Sequence, residues 1–229
     1  MRLVTYDRGG ARRLGAWVGS TVVDLPDAVG HPAFPSTMEA LVKRHAGTTL
    51  DAARAALDHP DAASEFGVPS PRLLSPVIPS SVRVAPRGHP ATGGDNGANG
   101  DIELACLLGV GGKNLSPSDA ALAIFGYALV TVATLGPTVV TPDDLEEADP
   151  RLVVTIDGNP FSEVTIDPVT LTAVIATTSR DEELSPGDVF LFYAPARAVA
   201  AARRLRLRVD ARMDLEAGPT AWRKASGTP

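Results

Sequence analysis

Cysteine occurs once in the 229 residues, at Cys106, so no disulfide framework can hold this chain together. That usage fits a reducing compartment, and a cytoplasmic location is expected. No stretch approaches the roughly 18 consecutive apolar residues of a membrane span. Residues 1–25 read as alternating strand rather than as a charged head, apolar middle and small-residue cleavage site, so no signal peptide is expected. Basic charge is short as well: 21 Lys and Arg stand against 27 Asp and Glu, a net charge of −6. A nucleic-acid backbone needs a basic footprint, so neither nucleic acid nor a membrane is expected as a partner. No Gly-x-Ser-x-Gly elbow and no dinucleotide-binding glycine fingerprint occur. No repeat recurs at a solenoid period.

What is present describes a folded chain. Hydrophobic residues make up 44% and charged residues 21%. This is enough apolar material for one generous domain, or for one domain with a small N-terminal appendage. Ala, Gly, Pro, Arg and Asp are abundant while Lys, Ile and Asn are scarce, the bias of a GC-rich coding sequence.

Residues 1–25 predict a small meander, with Arg2–Tyr6 and Ala16–Val18 separated by the turn-rich Asp7-Arg8-Gly9-Gly10. Helical spacing of Met38, Leu41, Val42, Leu50, Ala53 and Leu57 predicts a helix from Thr37 to about Leu57, broken near Gly47. Four prolines between 67 and 81 mark a linker, which sets an N-terminal module at 1–72 and a core domain at 73–229. Strands are expected at Ser81–Ala85, Ile102–Val110, Tyr127–Val132, Val189–Tyr193 and Arg204–Val209. Residues 90–100 hold four glycines outside a strand–turn–helix context and read as plain loop. Ser116-Pro117-Ser118-Asp119 is a capping box that opens a helix to about Phe125. Asp157-Gly158 turns a hairpin over 151–166, and Asp167-Pro168 starts a helix to about Thr178. Five carboxylates between Asp143 and Asp149 read as a solvated loop. The architecture is mainly β with a few short helices, an α+β chain and not a doubly wound parallel sheet.

From Leu74 onward the order of motifs resembles the fumarylacetoacetate hydrolase superfamily. Leu74-Ser75-Pro76-Val77-Ile78-Pro79 is similar to the lead-in to that family's first core strand. Asp101-Ile102-Glu103-Leu104-Ala105 resembles its Glu-x-Glu-Leu-Ala strand, followed by Gly109. Gly126-Tyr127 resembles the Gly-Tyr that opens the next strand, and Gly136-Pro137-Thr138-Val139-Val140 its Gly-Pro-x-x-Val segment. Leu184-Ser185-Pro186-Gly187-Asp188-Val189 resembles its Leu-x-Pro-Gly-Asp-Val turn. Residues 2–25 look like its N-terminal module. The resemblance implies a β-roll core, a homodimer, and chemistry on small dicarbonyl acids assisted by Mg²⁺ or Ca²⁺ as a Lewis acid.

Departures from the family pattern shape the expected site. The implied metal pair maps to Asp101 and Glu103. Counting from Gly126-Tyr127 puts Thr131-Val132 where the family has Asn-Asp, and valine cannot ligate an ion. The expectation is therefore no cofactor, or only weakly bound Mg²⁺ or Ca²⁺ at Asp101 and Glu103. One of the six arginines between 197 and 212 is a candidate partner for that pair. Otherwise those arginines read as a solvated or interface face. Phe192-Tyr193-Ala194-Pro195 stands where the family reads Thr-Gly-Thr-Pro, so Phe192 and Tyr193, with Tyr127, are expected to line a more apolar pocket. Arg87-Gly88-His89 is the remnant of an Asn-Tyr-Arg-Asp-His segment. Arg87 is the candidate for substrate binding and His89 for general base, although a lone loop His is commonly a solvated bystander. Cys106, inside an apolar strand, reads as a small hydrophobe rather than a nucleophile.

Two functions of different class follow. One is an enzyme on a small keto-acid or polyketide-like substrate, catalysing cyclisation, tautomerisation, decarboxylation or C–C hydrolysis in specialised metabolism. The other is a non-catalytic relative that serves as a binding or partner protein.

Overall fold

The N-terminal meander forms because apolar residues alternate with polar ones across two tight turns. β1 (Arg2–Arg8) and β2 (Ala11–Val18) pair antiparallel as far as Arg8 opposite Ala11. The expected four-residue turn therefore shrinks to Gly9-Gly10, whose φ angles of 64° and 89° are those a two-residue hairpin turn demands. β3 (Thr21–Asp24) pairs with β2. Its outer edge is covered where Val68 N–H donates to Val22 O at 2.7 Å and Asp24 N–H to Phe66 O at 2.9 Å.

The computed structural model describes residues 1–44, 48–84, 102–131, 134–145, 151–156, 159–165, 168–194, 205–209 and 213–217. Four helices follow the meander: α1 (Leu25–Val29), α2 (Met38–Lys43), α3 (Thr48–Leu57) and α4 (Ala62–Glu65). The single broken helix expected from Thr37 is thus two helices on either side of residues 45–47. Thr37 caps α2, accepting from Ala40 N–H at 3.3 Å.

The chain then builds β4 (Leu73–Leu74), β5 (Ser81–Val84), β6 (Ile102–Leu108), α5 (Pro117–Ala123), β7 (Ile124–Thr131), β8 (Thr134–Leu135) and β9 (Thr138–Val140). α6 (Pro168–Asp181) and β12 (Asp188–Ala194) come later, after a hairpin. The large sheet runs β3-β2-β1-β9-β7-β6-β12-β5, with β4 beside β1 and β8 beside β7. The β5–β12 pairing is parallel, and every other described pairing is antiparallel. The capping box at Ser116 forms as expected: Asp119 N–H donates to Ser116 Oγ at 3.1 Å and Ser116 N–H to Asp119 Oδ2 at 3.3 Å.

Side-chain alternation gives the sheet two cores. On one face Leu104, Cys106, Leu108, Tyr127, Leu129 and Phe190 pack with residues of α5 and α6 such as Ala120, Leu171 and Ile175. On the other, Ala105, Leu107, Ala128, Val130 and Val189 pack with Leu3, Leu14, Leu25, Met38 and Leu41 from the first 41 residues.

A second sheet, β11-β10-β13-β14, contains β10 (Arg151–Ile156), β11 (Asn159–Thr165), β13 (Leu205–Val209) and β14 (Met213–Ala217). The β10–β11 hairpin is the one expected from the sequence. β14 is an addition, although Met213-Asp214-Leu215-Glu216-Ala217 alternates in the strand period. The register sets Arg206 opposite Glu216 and Arg208 opposite Asp214. Two of the six arginines thus have acidic residues at cross-strand positions, the arrangement that stabilises a charged sheet face. The whole is an α+β fold of mixed sheets with helices, as expected. No described helix is long and apolar enough to cross a membrane.

Candidate functional site

Three of the motifs that carried the resemblance fall on or lead into three adjacent strands, β7, β6 and β12. β7 lies close to β9 because residue 126 is glycine: a Cβ there would stand 2.6 Å from Val140 O and 2.7 Å from Val139 Cγ1. Cross-strand register then defines rows. Val130, Glu103 and Tyr193 form one row, Leu129, Leu104 and Phe192 the next, and Tyr127, Cys106 and Phe190 another.

β12 is anchored at its start by a charged clasp that sequence reading missed. Asp188 is 2% exposed. Its Oδ1 accepts from Ser81 Oγ at 2.7 Å, and its Oδ2 accepts from Ser185 N–H at 2.8 Å. The same Oδ2 lies 2.7 Å from Arg83 Nη1. Arg83 also holds Glu182, at the end of α6, through two bonds of 2.9 and 3.1 Å, and its guanidinium stands 5.7 Å from the Phe190 ring centre. The Arg83 hydrogen bond holds the Glu182 carboxyl below the ordinary glutamate range. The signal was the Pro-Gly-Asp turn itself, whose aspartate accepts from the backbone N–H three residues back, a local side-chain-to-backbone bond.

The expected site residues fall into three groups. Glu103 and Tyr193 occupy directly opposed positions on β6 and β12. Tyr127 is buried and Phe192 half-buried, both on the helix-covered face, whereas Val130 of the Glu103 row belongs to the other core. Arg87, His89, Asp101 and Val132 lie outside the described residues. The fold therefore brings Glu103 and Tyr193 into one row and leaves Tyr127 and Phe192 out of it.

Burial pushes the Tyr127 hydroxyl well above its ordinary range, with the neighbouring Cys106 adding to the shift. Burial does the same to the Cys106 thiol, which has no exposed surface. A thiol held protonated in an apolar core is inert, in keeping with its reading as a hydrophobe.

Among the described residues the donor set for a divalent ion is thin. The described β7, Ile-Phe-Gly-Tyr-Ala-Leu-Val-Thr, contains no acidic residue. Among the described residues no group of three or more His, Cys, Asp or Glu gathers to hold a metal.

No family model matches the chain, and no curated protein matches it. Solved structures do. Maleylpyruvate hydrolase from Sphingobium sp. SYK-6, in complex with manganese(II) ion and pyruvate, superposes with a TM-score of 0.69 at 21% identity, over 95% of this chain and 98% of that one. Fumarylacetoacetate hydrolase from the psychrophilic Exiguobacterium antarcticum gives 0.65 at 16% identity, over 95% and 98%. The 5-carboxymethyl-2-hydroxymuconate delta-isomerase from Mycobacterium smegmatis gives 0.60 at 17% identity, over 94% and 97%.

Proposed function

We infer that this chain, which has the fold of the fumarylacetoacetate hydrolase superfamily, is an enzyme acting on a small keto-acid or polyketide-like substrate. The observation that carries this reading is the row Val130–Glu103–Tyr193. It sets a carboxylate-bearing residue and an aromatic residue opposite one another on the strands whose motifs match. The reactions considered are cyclisation, tautomerisation, decarboxylation and C–C hydrolysis. All four move electrons through an enol or enolate next to a carbonyl, and a carboxylate residue among apolar strand positions suits the recognition of such compounds. Specialised metabolism is the proposed setting, because Phe192-Tyr193-Ala194 stands where the family pattern has hydroxyls and a glycine.

The test is a panel of α-keto, β-keto and β-diketo acids. Enol absorbance, released CO₂ and released pyruvate are followed, and ligand protection against thermal unfolding is measured in parallel. Turnover of at least one class that falls in Glu103→Gln is the expected result. Protection without turnover would favour the non-catalytic binding reading, for which the acid-free β7 is the supporting observation. Neither turnover nor protection would remove the keto-acid reading altogether.

A further inference from the structure

We propose that the buried pair Arg83–Asp188 is a register pin: it positions β12 along β6, and with it the residue of β12 that stands opposite position 103. The pin rests on the keto-acid reading only for what that position does, since the row of 103 and 193 is where that reading puts the site. β12 is apolar on both faces after its first residue. Val189 packs into the core built with the N-terminal helices and Phe190 into the core under α5 and α6, each 1% exposed. Leu191 and Phe192, half-buried, pack against the same two cores in the same order. A slip of two residues therefore exchanges Val for Leu on one face and Phe for Phe on the other, and the backbone ladder re-forms with new partners. Apolar alternation fixes register where it tells a buried face from a wet one, and here it separates these alignments poorly.

Asp188 separates them sharply. A two-residue slip moves it by roughly 7 Å. In one direction it takes the place of Phe190 opposite Cys106, inside an apolar core, where a carboxylate without partners is strongly disfavoured. In the other it withdraws from Ser81 Oγ and from Arg83 Nη1, both 2.7 Å away. The socket does not travel with the strand. Ser81 and Arg83 belong to β5, and Arg83 is held in turn by Glu182 at the end of α6, through bonds of 2.9 and 3.1 Å. The Arg83 side chain is 17% exposed and that of Asp188 3%. A buried ion pair adds little net stability over apolar residues of similar volume, and its best-attested use is to select one alignment among several. The competing constraint is the bridge between Gly112 and Leu184, which fixes the chain four residues before Asp188.

Removing both charges separates alignment from stability. The full chain carrying Arg83→Met and Asp188→Leu together is expected to keep a urea midpoint close to that of wild type, because neither charge is left buried alone. It is expected to lose its single alignment. In amide-resolved NMR the β12 resonances should double, and the cross-strand contact of Ala105 with Leu191 should be joined by one with Val189 or with Tyr193. These readings need no substrate, so they succeed or fail apart from the keto-acid reading. Where the substrate panel finds turnover, the folded double variant is expected to lose about tenfold or more in kcat with KM near that of wild type. Doubled resonances with unchanged kcat would remove the site from this row and leave the pin standing. A single set of resonances with the wild-type contact would overturn the proposal and assign the alignment to the Gly112–Leu184 bridge. Arg83→Met with Asp188→Ala, which adds no bulk, is the second variant. If neither pair of substitutions folds, the ion pair is needed for stability rather than for alignment, and the proposal falls.

Discussion

Arg83 joins three elements through one guanidinium: the edge strand β5 that bears it, the end of α6 through Glu182, and the start of β12 through Asp188. Only Asp188 in this group is fully buried, so its loss of a partner dominates the energetics. Arg83→Met is expected to cost about 3 kcal/mol in urea unfolding, because a buried carboxylate is left uncompensated. Asp188→Asn in the same background should recover part of that cost. Gly126 acts through space rather than charge. Alanine there would press on Val140 O, a backbone atom that cannot rotate away. Gly126→Ala is expected to destabilise by about 2 kcal/mol through displacement of β9 from β7. Cys106 provides a check on core integrity: with no exposed surface and a thiol pushed up by burial, it should resist a thiol reagent until the chain is unfolded.

Among the elements, the N-terminal meander is tied to α1 by Asp24. Its carboxylate accepts two bonds from Arg13 at 2.9 Å each, one from Arg8 at 2.6 Å, one from the Tyr6 hydroxyl, and one from Asp27 N–H at 2.9 Å. Burial pushes the Asp24 carboxyl up, but the Arg13 and Tyr6 bonds reverse this and hold it below the ordinary range. Its folded value therefore lies below its unfolded one. The stability it contributes is complete above about pH 4, the unfolded value, and is lost as pH falls through the lower folded value. Urea midpoints of wild type and Asp24→Asn should differ most near pH 7 and converge toward pH 2. A constant difference across that range would show that the charge is not what matters. The meander was legible because its strands alternate cleanly, and α5 because Ser116 and Asp119 carry a complete cap. α1 and α4 were not legible: helices of five and four residues hold too few positions for a periodic signal, and tertiary packing sets them. β7 was read as starting at Tyr127 and begins instead at Ile124, because the helix α5 ends where Ile124 enters the sheet without a glycine or proline to mark the change.

Over the whole molecule, the motifs that resemble the superfamily were legible because turns and close approaches leave strong residue signatures. Gly126 is needed for contact with Val140, and Gly187, at φ 92°, for the turn before Asp188. The row Val130–Glu103–Tyr193 was less so, since which residue of β12 stands opposite Glu103 depends on a pairing between segments some 90 residues apart, which no local pattern encodes. The linker composition near residue 72 marks a change along the chain, yet the large sheet passes across it. β1 pairs with β9, Arg2 opposite Val140, and with β4, Tyr6 opposite Leu73. Thr5 Oγ1 donates to Pro76 O at 2.6 Å, and Arg12 donates to Ser75 O at 2.8 Å. Residues 1–72 also supply Leu3, Leu14, Leu25, Met38, Leu41 and Val42 to the core that covers Ala105, Leu107, Ala128 and Val189. Each such side chain gains roughly 1.5–3 kcal/mol by burial, and without residues 1–72 the apolar face of Ala105, Leu107, Ala128 and Val189 loses its cover. A fragment of residues 73–229 expressed alone is therefore expected to show no cooperative thermal transition and to bind a dye specific for exposed apolar surface. Supplying residues 1–72 as a separate chain should restore the transition in part, because the missing face is complementary and needs no covalent link. A fragment that unfolds cooperatively by itself at a midpoint close to that of the full chain would show that the covered face is not required for folding.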